Sequence, residues 1–399
     1  MPKFFNARTL KQAAIALTFD LGGILSGRLI MVFAPLFASS PWILALFPPI
    51  LTVRGNIGGI LSGKLSTMLH TGEAEPRFRN NTRAFYSLIN AIFVLTFVDT
   101  LGIGFIAFAV NSLFFGISTQ NLQIFLLVPV LTCELAIAIS VPVVLFFGIE
   151  SFNRGLDPDI VLYPMMSTID DVLVTICYVL VVYLTLIPGT LEGMVLVELL
   201  LVGTVLVLFS RNRRERTFFR TLEEGGPIVI FSSLLGTFGG VALASLKDDI
   251  EMNPSALMLY PTLIDTLGDI GSILGAMQTT KLALGYVASF WVTLKEAFAD
   301  LLSVEAAAAA MHVIFGLAAF LIGRATGLSP DASILVGLAL ISNVISFLFI
   351  SIFSLLIATQ TFKYGLDPDN FVIPLVTSVS DIIATLAFST SLAILRAGL

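Results

Sequence analysis

Apolar stretches long enough to cross a bilayer follow one another along nearly all of this chain. They lie at about 12–38, 41–69, 84–110, 122–149, 160–188, 191–209, 227–246, 256–283, 297–323, 331–358 and 371–396. A helix needs roughly 20 apolar residues to span the hydrocarbon core. In lipid every backbone polar group must be satisfied within the chain, so successive stretches of this kind fold as a bundle of helices. Only 12% of the 399 residues are charged while 57% are hydrophobic, against roughly 25% charged in a soluble domain. A water-soluble fold is excluded, because too little polar surface remains to cover it. The expected fold class is all-α, a polytopic membrane protein of about eleven spans, with membrane lipid as its surroundings. Residues 284–303, which include Trp291, Lys295, Glu296 and Asp300, read as an interfacial helix, since indole rings favour the headgroup region. No basic run suggests a nucleic-acid partner. Cys133 and Cys177 stand alone in apolar stretches and read as packing residues.

The pattern contains a duplication. GLDPD occurs at 155–159 and again at 365–369, an offset of 210. Pro164 then matches Pro374, Thr168 matches Ser378, Asp171 matches Asp381 and Thr175 matches Thr385. Earlier in each half, Pro48 and GNIG at 55–58 match Pro261 and GDIG at 268–271, and Gly23 and Gly27 match Gly236 and Gly240, at an offset of 213. Three separated matches in one order point to two copies of a five-span module. The expected organisation is a first repeat over 1–190, a linker helix with a basic segment over 191–220, and a second repeat over 221–399. The stretch 191–209 acts as one extra span, which returns the chain to its starting side, so the two odd-numbered modules run parallel about an axis normal to the membrane. Inverted repeats, with 191–209 lying flat, are the alternative.

Basic residues give the expected orientation. A cytoplasmic N-terminus places Arg77, Arg79, Arg83, Arg154, the cluster Arg211 to Arg220, Lys281, Lys295 and Lys363 inside. Lys247, Arg324 and Arg396 are left outside, and the loops around Ser39–Ser40 and Asn111–Gln120 have no Lys or Arg. This is the bias of the positive-inside rule, and it puts the C-terminus of this multi-pass cell-membrane protein outside.

Ionisable side chains inside spans cost several kcal/mol and mark function. Asp171 and Asp381 each lie in the fifth span of a half, fourteen residues after the first Asp of DPD and seven after a Pro. Seven residues are about two helical turns, so Pro and Asp share a face. The span Pro leaves a backbone carbonyl free to act as a hard oxygen ligand. The bland alternative is a helix–helix hydrogen bond, but duplication of so costly a carboxylate favours function. Asn56 and Asp269 occupy one paired position inside the two Gly-x-x-Gly segments, which suggests a lining role over simple glycine packing. Asp170, beside Asp171, joins the candidate set. Asp157 and Asp367 read first as helix caps, with an acidic rim at the cytoplasmic mouth as a second reading. Asp20, Asp99, Glu134 and Asp265 are unduplicated acids whose partners include Arg28, Arg54 or Lys64 as options. His70 and His312 lack metal-ligand spacing and read as packing or helix-end residues.

Facing carboxylates with hydroxyls from Ser167, Thr168, Thr377 and Ser378, and no cluster of Cys, His or Met, form a hard-oxygen site. Such a site suits Mg²⁺, Mn²⁺ or Ca²⁺. Mg²⁺ is held through retained waters by one or two carboxylates. On the residues alone the cargo is a hard divalent cation. No catalytic residue and no resident cofactor are expected.

PPILTVRGNIGGILSGKLSTMLHTG at 48–72 resembles the second-helix motif of MgtE-type magnesium transporters and the related eukaryotic solute-carrier family. LDPDNFVIPLVTSVSDIIATL at 366–386, and its copy LDPDIVLYPMMSTIDDVLVTI at 156–176, resemble the fifth-helix motif whose Asp forms the pore site. The resemblance implies Mg²⁺ as the transported ion, pore aspartates at Asp171 and Asp381, and lining roles for Asn56 and Asp269. It also implies a pseudo-dimer within one chain, since bacterial members are similar to one half and pair as homodimers. Those members carry large cytosolic sensing domains, whereas only about eleven residues precede the first apolar stretch here. GNIG against GDIG, and IDDV against VSDI, make an asymmetric site.

Two rivals remain at this level. One is a proton- or sodium-coupled carrier of an organic solute using the same aspartates. The other, an intramembrane aspartyl protease, is disfavoured because Thr266 stands where its GxGD motif needs Gly.

Overall fold

The computed structural model describes residues 5–32, 41–115, 122–244, 254–286, 290–325, 327 and 331–397. Positions 39–40 and 116–120, and Lys247, lie outside that set. Helices account for nearly all of the described residues, and no strand occurs among them. In chain order they are α1 (Ala7–Leu17), α2 (Leu21–Val32), α3 (Pro41–Thr71), α4 (Arg83–Phe115), α5 (Leu122–Asn153), α6 (Pro158–Leu186), α7 (Thr190–Asn212) and α8 (Arg216–Ala244). The series continues with α9 (Pro254–Ala283), α10 (Phe290–Ala325), α11 (Ala332–Lys363), a 3₁₀ turn (Pro368–Asn370) and α12 (Val372–Ala397). Seven of the described helices are long and apolar enough to cross a membrane. The chain is an all-α polytopic membrane protein. α3 and α9 have the length to cross as well, but they carry Arg54, Lys64, Asp265 and Asp269 in mid-helix.

The sequence punctuates these helices legibly. Asp157 caps α6 by accepting from the Asp159 N–H at 3.1 Å, and Asp367 caps the 3₁₀ turn by accepting from Asp369 at 3.2 Å. Gly155 and Gly365, at φ 72° and 76°, make the left-handed turns that precede them, a conformation open to Gly at little cost. Two expectations change. The first apolar stretch is broken at residues 18–20, so α1 and α2 are separate and Asp20 sits at the break. Of the interfacial helix expected at 284–303, the part from Phe290 on is the start of α10, which runs unbroken to Ala325. No Gly or Pro occurs between Phe290 and Gly316 to stop it. Trp291 remains exposed at its first turn, where an interfacial indole belongs.

Four long helices, α3 to α6, follow α1 and α2 before α7, and four more, α9 to α12, follow the single helix α8 after it, and the packing interlaces the two sets. α1 lies against α10 and α6, and α2 lies against α9 and α6. In return α8 packs on α3 and α4 as well as on α12. Each half thus lends its opening helix to the other. α3 also meets α12, and α9 meets α6. α7 offers Leu196, Leu199, Leu200 and Leu206 outward, an apolar face with no protein cover that suits lipid.

Both DPD turns lie at one end of the molecule. Ser66 of α3 donates to Asp159, and Lys64, two residues away, donates to Asp367 at 2.6 Å. At that end Arg8 donates to the Gly155 carbonyl at 3.2 Å, and Arg220 donates to the Gly365 carbonyl at 3.0 Å, the same contact in each half. The two sets of helices therefore run parallel.

Candidate functional site

Four helices meet where the halves face each other: α3 and α6 from the first, α9 and α12 from the second. Glycine permits the approach. A Cβ at Gly59 would collide with Ile373, one at Gly271 with Val376 and Ile350, and one at Gly58 would stand 3.3 Å from the Asp170 carboxylate. Glycines in and beside the Gly-x-x-Gly segments thus seat neighbouring helices, and Asn56 and Asp269 of the same segments are buried beside them.

Asn56 is buried, and its Oδ1 accepts from Thr377 and Ser378 of α12, each at 3.4 Å. In the other half the corresponding hydroxyl, Ser167 of α6, donates to Asp265 of α9 at 3.4 Å. The helix pairings across the junction are thus duplicated, with an amide on one side and carboxylates on the other. Asp269 is buried and neither of its oxygens has a donor. It lies within hydrogen-bond reach of Asp20, whose Oδ2 accepts from Thr266 at 2.7 Å and whose Oδ1 has no donor. The break between α1 and α2 is what carries Asp20 there, in the manner of interrupted helices at transporter midplanes.

Asp171 is buried and forms an ion pair with Arg54, which also donates through Nη1 to the Ser167 carbonyl at 3.2 Å. Asp170, also buried, keeps Oδ1 without a donor. Asp381 is half-buried and has no ion pair among the described residues, and its charged surroundings are Asp265 and Arg54. The duplicated aspartates are therefore not equivalent. One carries a guanidinium from its own chain and the other is open. Arg54 lies in electrostatic range of both.

The junction gathers all five sequence candidates, Asp171, Asp381, Asn56, Asp269 and Asp170. It adds two that sequence reasoning left aside, Asp20 and Asp265. Both were visible as acids inside apolar stretches, but neither is duplicated. Asp99 and Glu134, the other unduplicated acids, are buried on α4 and α5 with unpartnered oxygens of their own. Among the described residues no three of the junction carboxylates lie within 4.8 Å of one another, although Asp20 and Asp269 are in hydrogen-bond reach as a pair.

The model of the MgtE family, described as a divalent cation transporter, matches residues 47–181 and again 260–391. The two matches take in most of α6 and α12, with Asp171 and Asp381, and both Gly-x-x-Gly segments. Among curated proteins, solute carrier family 41 member 3 of Mus musculus is 24% identical over 93% of this chain and 80% of its own length. The Rattus norvegicus protein of the same name is 24% identical over 94% of this chain and 85% of its own. No solved structure matches the chain.

Proposed function

Since this chain belongs to the MgtE family of divalent cation transporters, we propose that its cargo is Mg²⁺ and that the ion crosses between the halves at the level of Asp171 and Asp381. The observation that carries this reading is the set of buried carboxylate oxygens left without donors at the junction, on Asp20, Asp170, Asp265 and Asp269. An ionised carboxylate accepts only, so buried oxygens of this kind require protons or a cation to offset them. Arg54 supplies one positive charge, and a partly hydrated divalent ion supplies the rest.

Asp381 is the open ligand, and Asp269 and Asp170 bring further carboxylate oxygens. The Asn56 carbonyl, already taken by two hydroxyls, orients the α12 side of the passage. Asp171 is held by Arg54 while the ion is away. An arriving dication competes with the guanidinium for that carboxylate, so Arg54 moderates binding that two free aspartates would make too tight to release. The orientation that fits the basic residues is a cytoplasmic N-terminus in the cell membrane, with the chain acting as its own pseudo-dimer.

The test is divalent flux into proteoliposomes, with Mg²⁺, Mn²⁺ and Ca²⁺ compared and with and without Na⁺ and pH gradients. Asp381→Asn should cut Mg²⁺ flux at least tenfold, and Asp171→Asn/Asp381→Asn should abolish it. A double variant that carries Mg²⁺ like the parent ends the assignment of these aspartates. Flux that strictly requires an organic solute would favour the coupled carrier.

A further inference from the structure

A second convergence of ligand atoms lies outside the junction, at the end of the molecule where the DPD turns gather. His70 in the last turn of α3, Asp157 at the cap of α6 and Asp159 in its first turn each bring one ligand atom within 4.8 Å of the other two. We propose that these three side chains form a separate metal site that binds a first-row transition ion of the Mn²⁺ or Zn²⁺ type.

The hydrogen bonds around the three residues prepare them for this. His70 Nδ1 lies 3.0 Å from the Ser66 carbonyl, which can only accept, so Nδ1 carries a proton and the neutral ring has its lone pair at Nε2. That Nε2 stands 3.8 Å from Asp157 Oδ1. An imidazole whose other nitrogen is tied to a carbonyl is the usual form of a metal-bound histidine. Asp159 is buried and takes a hydrogen bond from Ser66. Thr280 of α9, also buried, turns toward the same carboxylate a hydroxyl that has no partner within bonding distance. An acceptor nitrogen and two carboxylates facing one another leave a place that a cation fills.

The corresponding place in the second half is closed. Ala283 stands where His70 would be, and Lys64 occupies Asp367 at 2.6 Å. Lys281, the basic side chain near Asp159, is instead bound to Asp300 at 3.3 Å. The duplication thus leaves one DPD turn neutralised by the chain's own lysine and the other facing an imidazole. Imidazole with carboxylates selects first-row transition ions over Mg²⁺, which prefers all-oxygen surroundings. The site is therefore chemically distinct from the junction. It also ties the end of α3 to the start of α6, the two helices that carry Arg54, Asn56, Asp170 and Asp171.

The chain has two histidines, which makes the test direct. Full-length protein in lipid nanodiscs is given less than one equivalent of Mn²⁺ in excess Mg²⁺, and pulsed EPR is read for ¹⁴N modulation from a bound imidazole. The expected result is clear nitrogen modulation that disappears in His70→Gln, with Mn²⁺ affinity lowered about tenfold or more. Asp159→Asn should keep the modulation while weakening affinity. Absence of modulation in the parent protein overturns the proposal, and so does modulation that persists in His70→Gln. Neither reading depends on transport, so failure here leaves the junction assignment standing.

Discussion

At the level of single residues, duplication was the readable signal. It singled out Asp171 and Asp381 because chance does not retain a costly intramembrane acid twice, and the Asn56/Asp269 position because a side-chain oxygen recurs there in both halves. What it could not supply was partnership. Arg54 and Asp171 lie on different helices more than a hundred residues apart in sequence, and Arg54 has no counterpart, since Leu267 stands at its place in the second half. The pair is nearly buried, with side-chain exposures of 6% and 11%. Removing one partner of such a pair leaves an uncompensated charge and costs roughly 3–5 kcal/mol, while replacing both by apolar groups is often close to neutral. Asp171→Leu alone should therefore destabilise the purified protein strongly. Arg54→Leu/Asp171→Leu should recover most of the loss, as read from thermal unfolding in one detergent. Additive effects of the two changes would show that the ion pair does not hold these helices together.

At the level of helices, the apolar stretches placed most elements to within a few residues, because hydrocarbon length fixes how long a span must be. The misses have local causes. Asp20 interrupts the first stretch, where a purely apolar count sees continuity, and the run after Phe290 lacks any residue that would end a helix. The tie between α3 and the turn before α12 was invisible for the same reason as the Arg54 pair. Burial pushes the Asp367 carboxyl up, but Lys64, Arg220 and the Asp369 N–H outweigh it and hold it below the ordinary carboxylate range. A depressed folded-state value means that the stabilisation is fully present above the unfolded value, near pH 4, and fades as pH falls below it. Lys64→Met should therefore lower the melting temperature at neutral pH. The gap to the parent should narrow progressively below about pH 4, where Asp367 becomes protonated in both proteins. A gap that stays constant from pH 7 to pH 3 would remove Lys64 as the cause.

At the level of the whole molecule, the interlaced opening helices were beyond the reach of sequence, since duplication says that two copies exist and not which helices they trade. Parallel halves were expected from one extra span and from the Arg cluster that follows it. Three contacts bear on the sidedness. Arg8 reaches Gly155, Arg220 reaches Gly365, and Lys64 reaches Asp367, so the start of α1, the start of α8 and both DPD turns share one end. The basic residues near that end include Arg154, Arg211, Arg213, Arg214 and Arg216. The positive-inside rule makes a cytoplasmic side the expectation for that end, and labelling tests it. The prediction is made on a background in which Cys133 and Cys177, both buried, are replaced by Ala. Arg213→Cys in intact cells should resist a membrane-impermeant maleimide and react once the membrane is opened. Ala325→Cys, at the exposed far end of α10, should react in intact cells without permeabilisation. Labelling of position 213 from outside would invert the protein, and labelling of both positions from one side would mean that one of α8, α9 and α10 does not cross.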